Sequence, residues 1–177
     1  MEVVTGRPLE DAGRAAVELR AYDLLDRLGI SYQRVDHPPA LTMEDCVSIG
    51  QALAAPVCKN LFLCNRQKTA FYLLLMEGDK PFKTKELSAQ LGIARLSFAG
   101  EEAMVQLLGV HPGSVSPLGL ENDGQKRVQL VIDRALLQRD RIGCHPCRNT
   151  STVGFSTDDF LHKLLPALGH PPVFVRL

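Results

Sequence analysis

Net charge is missing from this chain: 20 Lys and Arg side chains balance 20 Asp and Glu. A domain-wide positive field that would hold nucleic acid non-specifically is therefore excluded, and a polyanion partner must meet a local patch. No apolar run nears the roughly 20 residues that a membrane-spanning helix requires, and the first residues show no charged-then-apolar leader. The cysteines, Cys46, Cys58, Cys64, Cys144 and Cys147, are odd in number at five. They are read as reduced thiols, and the protein as cytoplasmic. A nucleophile elbow, a Gly-Lys-Ser/Thr phosphate loop and a dinucleotide fingerprint are all lacking, which leaves nucleotide hydrolysis and redox readings without support. Fixed-period repeats, low-complexity stretches and linker-like breaks are lacking too. One domain spanning 1–177 is the expectation, and 45% hydrophobic residues suffice for a core without staples.

What is present alternates helix and strand patterns. Apolar side chains recur at Leu9, Ala12, Ala16, Leu19, Leu25 and Leu28, which predicts an amphipathic helix over 9–28 closed by Gly29. Residues 30–35 read as a strand, and His37-Pro38-Pro39 forces an extended turn, because each proline removes a donor and restricts its predecessor. Thr42, with Asp45 in reach, should cap a helix over 43–53. Segments 57–64 and 69–76 are rich in β-formers and flank the polar turn 65–68, so they should form an antiparallel hairpin in the centre of a sheet. Helices over 85–91 and 101–108, a short strand over 95–98, strands over 127–133, 142–145 and 152–155, and a last helix capped by Ser156 and running to 168 complete a mixed α+β pattern.

Chemistry concentrates at a few places. Lys59 brings an ammonium into the apolar run 58–63, where it must find an anion or a strong dipole, unless the strand simply exposes it at an edge. The loop 109–119 holds three glycines and two prolines. Glycine lets backbone amides be aimed at a ligand and proline pre-sets the loop, although the same composition suits an ordinary helix-to-strand connection. His145 lies in Cys144-His145-Pro146-Cys147, followed by Asn149, Thr150, Ser151 and Thr152, and reads either as a site histidine or as a turn residue held by Pro146. Cys144 and Cys147 have the spacing of a redox or zinc pair, but zinc would require two further ligands at similar spacing and none are offered. No metal and no cofactor are expected.

Taken in order, His37-Pro38-Pro39, Lys59-Asn60-Leu61-Phe62-Leu63, Leu87 to Gly92, Arg95-Leu96-Ser97-Phe98-Ala99, Leu108-Gly109-Val110, Pro112-Gly113-Ser114-Val115-Ser116-Pro117, Gly119-Leu120 with Asn122-Asp123, His145-Pro146 and Asn149-Thr150 resemble the YbaK/ProX family of aminoacyl-tRNA editing domains. The resemblance covers nearly the whole chain and is strongest to the freestanding prolyl-tRNA editing proteins, which hydrolyse alanine mischarged on proline tRNA. It implies a mixed, partly barrel-like sheet surrounded by helices, and a cytoplasmic metal-free ester hydrolase acting on mischarged tRNA, with prolyl-tRNA synthetase as a further partner and no role for DNA or membrane. Lys59 matches the family's invariant lysine, Asn60 follows it, Gly113 and Pro117 fit its Gly-x-x-x-Pro loop, and His145 matches its late histidine.

The implied site then assigns catalytic roles to Lys59, Gly113, Ser114 and His145. Substrate contacts fall to Asn60, Ser116, Pro117, Asn149, Thr150 and Thr152. Lys80, Lys83, Lys85 and Arg95 form a candidate patch for the acceptor stem, unless they are an ordinary solvated face. In this scheme the amides of the 113–116 turn stabilise the oxyanion, Lys59 anchors a phosphate or the carbonyl oxygen, and Asn60 and His145 orient the ester, with the tRNA ribose hydroxyl helping to activate water. Cys58, Ser151 and Arg148 depart from the family pattern and bear on substrate range. Deacylation of cysteinyl-, seryl- or threonyl-tRNA, and tRNA or synthetase binding without hydrolysis, are the alternative functions.

Overall fold

The computed structural model describes residues 1–177. Nine strands form two sheets: β1 (Val3–Thr5), β2 (Tyr32–Asp36), β3 (Lys59–Cys64), β4 (Phe71–Met76), β5 (Ser97–Phe98), β6 (Val128–Asp133), β7 (Arg141–Cys144), β8 (Ser151–Ser156) and β9 (Val173–Val175). One sheet has the order β1-β2-β8-β7, antiparallel throughout. The other runs β5-β3-β4-β6-β9, antiparallel on the β3 side and parallel from β4 to β9. A parallel bridge between Val57 and Gly143 joins them. Gly143 donates its amide to Pro56 O at 2.8 Å, and Cys58 donates to Gly143 O at 2.9 Å. The sheets thereby curl into a partial barrel. Only glycine fits at 143, because a Cβ there would lie 2.9 Å from the Ala55 carbonyl oxygen.

Alternation along β3 decides which side chains see which environment. Leu63 joins Leu74, Met76, Leu87, Leu96, Val131 and Val175 in a cluster under α3 (Thr84–Leu91), with Leu61 against it. Phe62 and Cys64 point the other way, into the main core of 32 buried residues between the sheets. Each fully buried Leu or Phe of this kind contributes about 1.5–3 kcal/mol. Lys59 and Asn60, at the start of the same strand, consequently leave on opposite faces.

The hairpin forms as expected, with Asn65 Oδ1 accepting from the amides of Thr69 and Ala70 to close the turn. Helix α2 (Met43–Leu53) begins at the expected cap: Asp45 N donates to Thr42 Oγ1 at 3.1 Å, and Thr42 N donates back to Asp45 Oδ2 at 2.9 Å. The first helix is shorter than its periodicity suggests. α1 spans Ala16–Arg27, while Leu9 stands fully exposed and Gly13 has φ +78°, so the apolar residues before 16 never pack.

Helix α4 (Glu101–Ala103) continues into a π turn over Met104–Leu108 that ends at Gly109. The last helix is similarly composite, α5 (Thr157–Asp159), a π turn over Phe160–Leu164 and α6 (Leu165–Leu168), with Pro166 just beyond the π turn. The edge strands β1 and β9 have three residues each and were absent from the sequence reading.

Candidate active site

Two loops meet at the seam between the sheets. The first, beyond the π turn, contains Gly113, whose φ of +83° lies in the left-handed region that glycine enters without penalty. Ser114 donates its amide to His111 O at 3.0 Å, which closes a turn and leaves the amides of Gly113, Val115 and Ser116 with no acceptor in the protein. Ser116 is fully buried and caps the 3-10 helix Pro117–Asn122, its Oγ accepting from Leu118 N. Pro117 opens that helix, where its missing donor costs nothing.

The second loop follows β7. His145 is buried, and its Nδ1 lies 2.9 Å from Ser151 O and 3.1 Å from Thr152 Oγ1. A carbonyl only accepts, which assigns the proton to Nδ1 and leaves Nε2 as a lone pair. Burial holds the His145 pKa below its ordinary value, so the ring is neutral at pH 7. His37 uses Nδ1 on Pro38 O at 2.7 Å, and its Nε2 lies 2.9 Å from Thr152 Oγ1. Thr152 Oγ1 is thus shared by the two rings, His145 Nδ1 on one side and His37 Nε2 on the other, while His37 Nδ1–H donates to the Pro38 carbonyl. The rings are 5.9 Å apart. His37, read from the sequence only as part of a turn, is thus a partner of His145. The Pro-Pro sequence hid it.

The loops are tied to each other. Asn149 N donates to Ser114 Oγ at 3.2 Å, and the Asn149 side-chain amide lies over Gly113, where an added Cβ would meet it at 3.4 Å. Thr150 O accepts from His37 N, and Asn149 O from Ala40 N, so segment 37–40 belongs to the same assembly. Asn60 and Gly113 line one cavity of about 230 Å³ with Phe62, Phe98, Met104 and Pro112. Asn60 donates to Cys58 O at 3.2 Å, and its Oδ1 faces only the Cys58 thiol at 3.6 Å.

Lys59 leaves on the other face. It is half-buried, and Nζ donates to Lys80 O at 2.5 Å, a strong dipole of the kind its position requires. The structure therefore brings the loop of Gly113, Ser114, Ser116 and Pro117 against Asn149 and the loop of His145, Thr150 and Thr152, places Asn60 on a cavity it shares with Gly113, and sets Lys59 two residues beyond the bridge that joins the sheets. Two of the expected site residues already have partners in the protein. The Ser114 amide is taken by His111 O, and its Oγ accepts from Asn149 N while keeping its own proton to donate. Lys80 is not a free phosphate contact, because Nζ pairs at 2.7 Å with Asp133, itself 1% exposed.

A protein-family comparison matches residues 37–163 to the aminoacyl-tRNA editing domain. The chain belongs to that family. This editing domain is 34% identical over 146 residues to the prolyl-tRNA editing protein ProX of Acetoanaerobium sticklandii, covering 82% of this chain and 88% of the relative. It is 36% identical over 170 residues to the prolyl-tRNA synthetase associated domain-containing protein 1 of Mus musculus, covering 92% and 98%. A solved structure provisionally assigned as a trans-editing enzyme for prolyl tRNA synthetase shares the fold, with TM-score 0.68, 18% identity and coverage of 92% and 98%. The editing domain is accordingly an enzyme, an aminoacyl-tRNA deacylase that hydrolyses the ester of mischarged tRNA.

The cysteines of the editing domain stay outside the chemistry the loops can perform. Burial pushes the Cys58 and Cys147 thiols up to about 12 and Cys144 further, so none is a thiolate at neutral pH. Cys144 and Cys147 find no third His, Cys, Asp or Glu with which to hold a metal. No helix is long and apolar enough to cross a membrane. Of the basic patch, Lys83, Lys85 and Arg95 remain exposed, with Glu86 3.8 Å from Lys83.

Proposed function

We propose that this protein clears alanine from proline tRNA in trans, acting in the cytoplasm as one unit of residues 1–177, with prolyl-tRNA synthetase as the source of the mischarged substrate. The single observation that carries the reading is the 113–116 turn, whose Gly113 and Val115 amides have no acceptor, tied to Asn149 and served by no side-chain nucleophile. The names of the relatives, which specify prolyl-tRNA editing and association with the synthetase, support the choice of tRNA. A core whose members run from Ala21 to Leu168 supports the single unit.

Water attacks the ester carbonyl carbon, and the developing oxyanion takes hydrogen bonds from the amides of Gly113 and Val115. The tetrahedral intermediate then collapses, the ribose oxygen leaves with a proton, and alanine departs as the free acid. Donors already aimed at the oxyanion cost no reorganisation, and one such donor is worth about 10²–10³ in kcat. The Nε2 lone pair of His145 and the amides of Asn60 and Asn149 orient the ester and its water, with Thr150 and Thr152 fixing the histidine loop. Lys59 exchanges the Lys80 carbonyl for a tRNA phosphate, a charge-assisted and therefore stronger bond. The ribose hydroxyl next to the ester helps to activate the water, consistent with the lack of a triad. Proline is refused by steric exclusion, because hydrophobic discrimination per methylene reaches only ~1–3 kcal/mol.

Parallel hydrolysis of alanyl-, cysteinyl-, seryl- and threonyl-tRNA tests the proposal. Alanine should be lost fastest. Equal rates on alanine and serine would refute the assignment of substrate.

A further inference from the structure

The cavity beside Gly113 is too large to be the sieve for alanine. A methyl group is no bigger than a water molecule, whose share of liquid volume is about 30 Å³, whereas the cavity measures about 230 Å³. Its outer wall is Phe98, 64% exposed, an unusual position for a phenylalanine with nothing to cover it. The backbone beneath that ring is fixed: Phe98 pairs with Leu63 across β5 and β3, and Ala99 donates to Phe62 O at 2.9 Å. The ring itself is steadied edge-on by Phe82, centroids 6.1 Å apart. That contact brings the Lys83 end of α3 alongside the cavity, and Arg95 lies three residues before Phe98, both exposed.

We propose that Phe98 is a stacking platform for the unpaired 3′-terminal adenine of tRNA, with Lys83 and Arg95 meeting the adjoining phosphates and the cavity leading the ribose ester to Gly113. An exposed aromatic face flanked by cations, on a rigid strand, is the arrangement by which proteins hold single-stranded RNA. The inference rests on the editing reading above, since that reading puts the ester at Gly113.

The chain contains no tryptophan, so Phe98→Trp supplies a single fluorescent reporter. An uncharged RNA hairpin with the unpaired tRNA 3′ end should quench it saturably, and the same hairpin lacking the terminal adenosine should not. Identical signals from both hairpins, or none from either, would overturn the proposal. In deacylation, Phe98→Ala should raise KM about 5- to 150-fold with little change in kcat, and Phe98→Tyr should restore KM. An unchanged KM, or a loss confined to kcat, would also overturn it. Inactivity of the wild-type enzyme on every mischarged tRNA, with adenosine-dependent quenching intact, would sink the editing reading and leave the adenine seat standing.

Discussion

Gly113→Ala separates stability from catalysis. The residue sits at φ +83°, and an added Cβ would meet only the Asn149 side chain, at 3.4 Å. The left-handed conformation costs an L-residue roughly 1–2 kcal/mol. For a chain of this size each kcal/mol lowers Tm by about 2–4 °C, so a fall of about 2–8 °C is expected and the protein still folds. Relief of that strain by rotating the peptide would turn the Gly113 and Val115 amides away from the proposed oxyanion. A single donor lost costs about 10²–10³ in kcat, so single-turnover deacylation should slow at least about a hundredfold with tRNA affinity nearly unchanged. Gly124→Ala is the control, because nothing lies within 4 Å of its Cβ position and its φ is not left-handed. A Gly113→Ala enzyme with the lowered Tm but kcat within about fivefold of wild type would refute the oxyanion role of this turn.

His145 gives a pH signature. Its pKa is depressed by burial, so the neutral ring persists at neutral pH, and single-turnover rates should be flat above pH 7 and fall only below the ordinary histidine pKa of about 6.5. A histidine with a depressed folded pKa adds stability above its unfolded pKa and loses it as pH falls through the folded value, so wild type should lose more stability over that acid interval than His145→Gln, measured by urea midpoints. Asp123 accepts from the amides of Arg127 and Val128 and from His170 at 2.9 Å, and Asp123, Val128 and His170 are buried. Those partners hold its carboxyl below the usual range, so its contribution is complete above about pH 4 and disappears as pH drops further. Asp123→Ala should cost about 1–3 kcal/mol by urea titration, because it leaves a buried partner without its hydrogen bond. Thr42→Ala removes one half of the capping box and should cost about 1 kcal/mol in thermal melts, with catalysis unaffected.

The sequence reading succeeded where a local device sets the structure. The Thr42 and Asp45 box fixes the start of α2 across three residues of chain, and the Asn65 turn fixes the hairpin, so both were legible without tertiary information. The long first helix failed because periodicity cannot tell that Leu9 has nothing to pack on. Helix 101–108 was found, but its π turn arises from tertiary packing and leaves no pattern of its own. The strands β1 and β9 are three residues long, below the length at which alternation can be counted. Gly113 and His145 stand out as candidates in the sequence because a glycine between prolines and a histidine before proline are uncommon, and the structure sets Asn149 of the histidine loop against Gly113. The commitment of Lys80 to Asp133 was invisible, since those partners are 53 residues apart and only the parallel β4–β6 pairing brings them close. Phe98 escaped notice for the opposite reason, since an exposed phenylalanine in a strand looks like a core residue until its burial is known.

Single-turnover hydrolysis of alanyl-tRNA for proline, run beside prolyl-tRNA and the Lys59→Ala enzyme, tests the central claim most directly. The account requires rapid loss of alanine, retention of proline, and a sharp loss of turnover in the variant, together with weaker tRNA binding once the phosphate anchor is gone. Hydrolysis of prolyl-tRNA at the same rate as alanyl-tRNA, or full activity without the Lys59 ammonium, would contradict it.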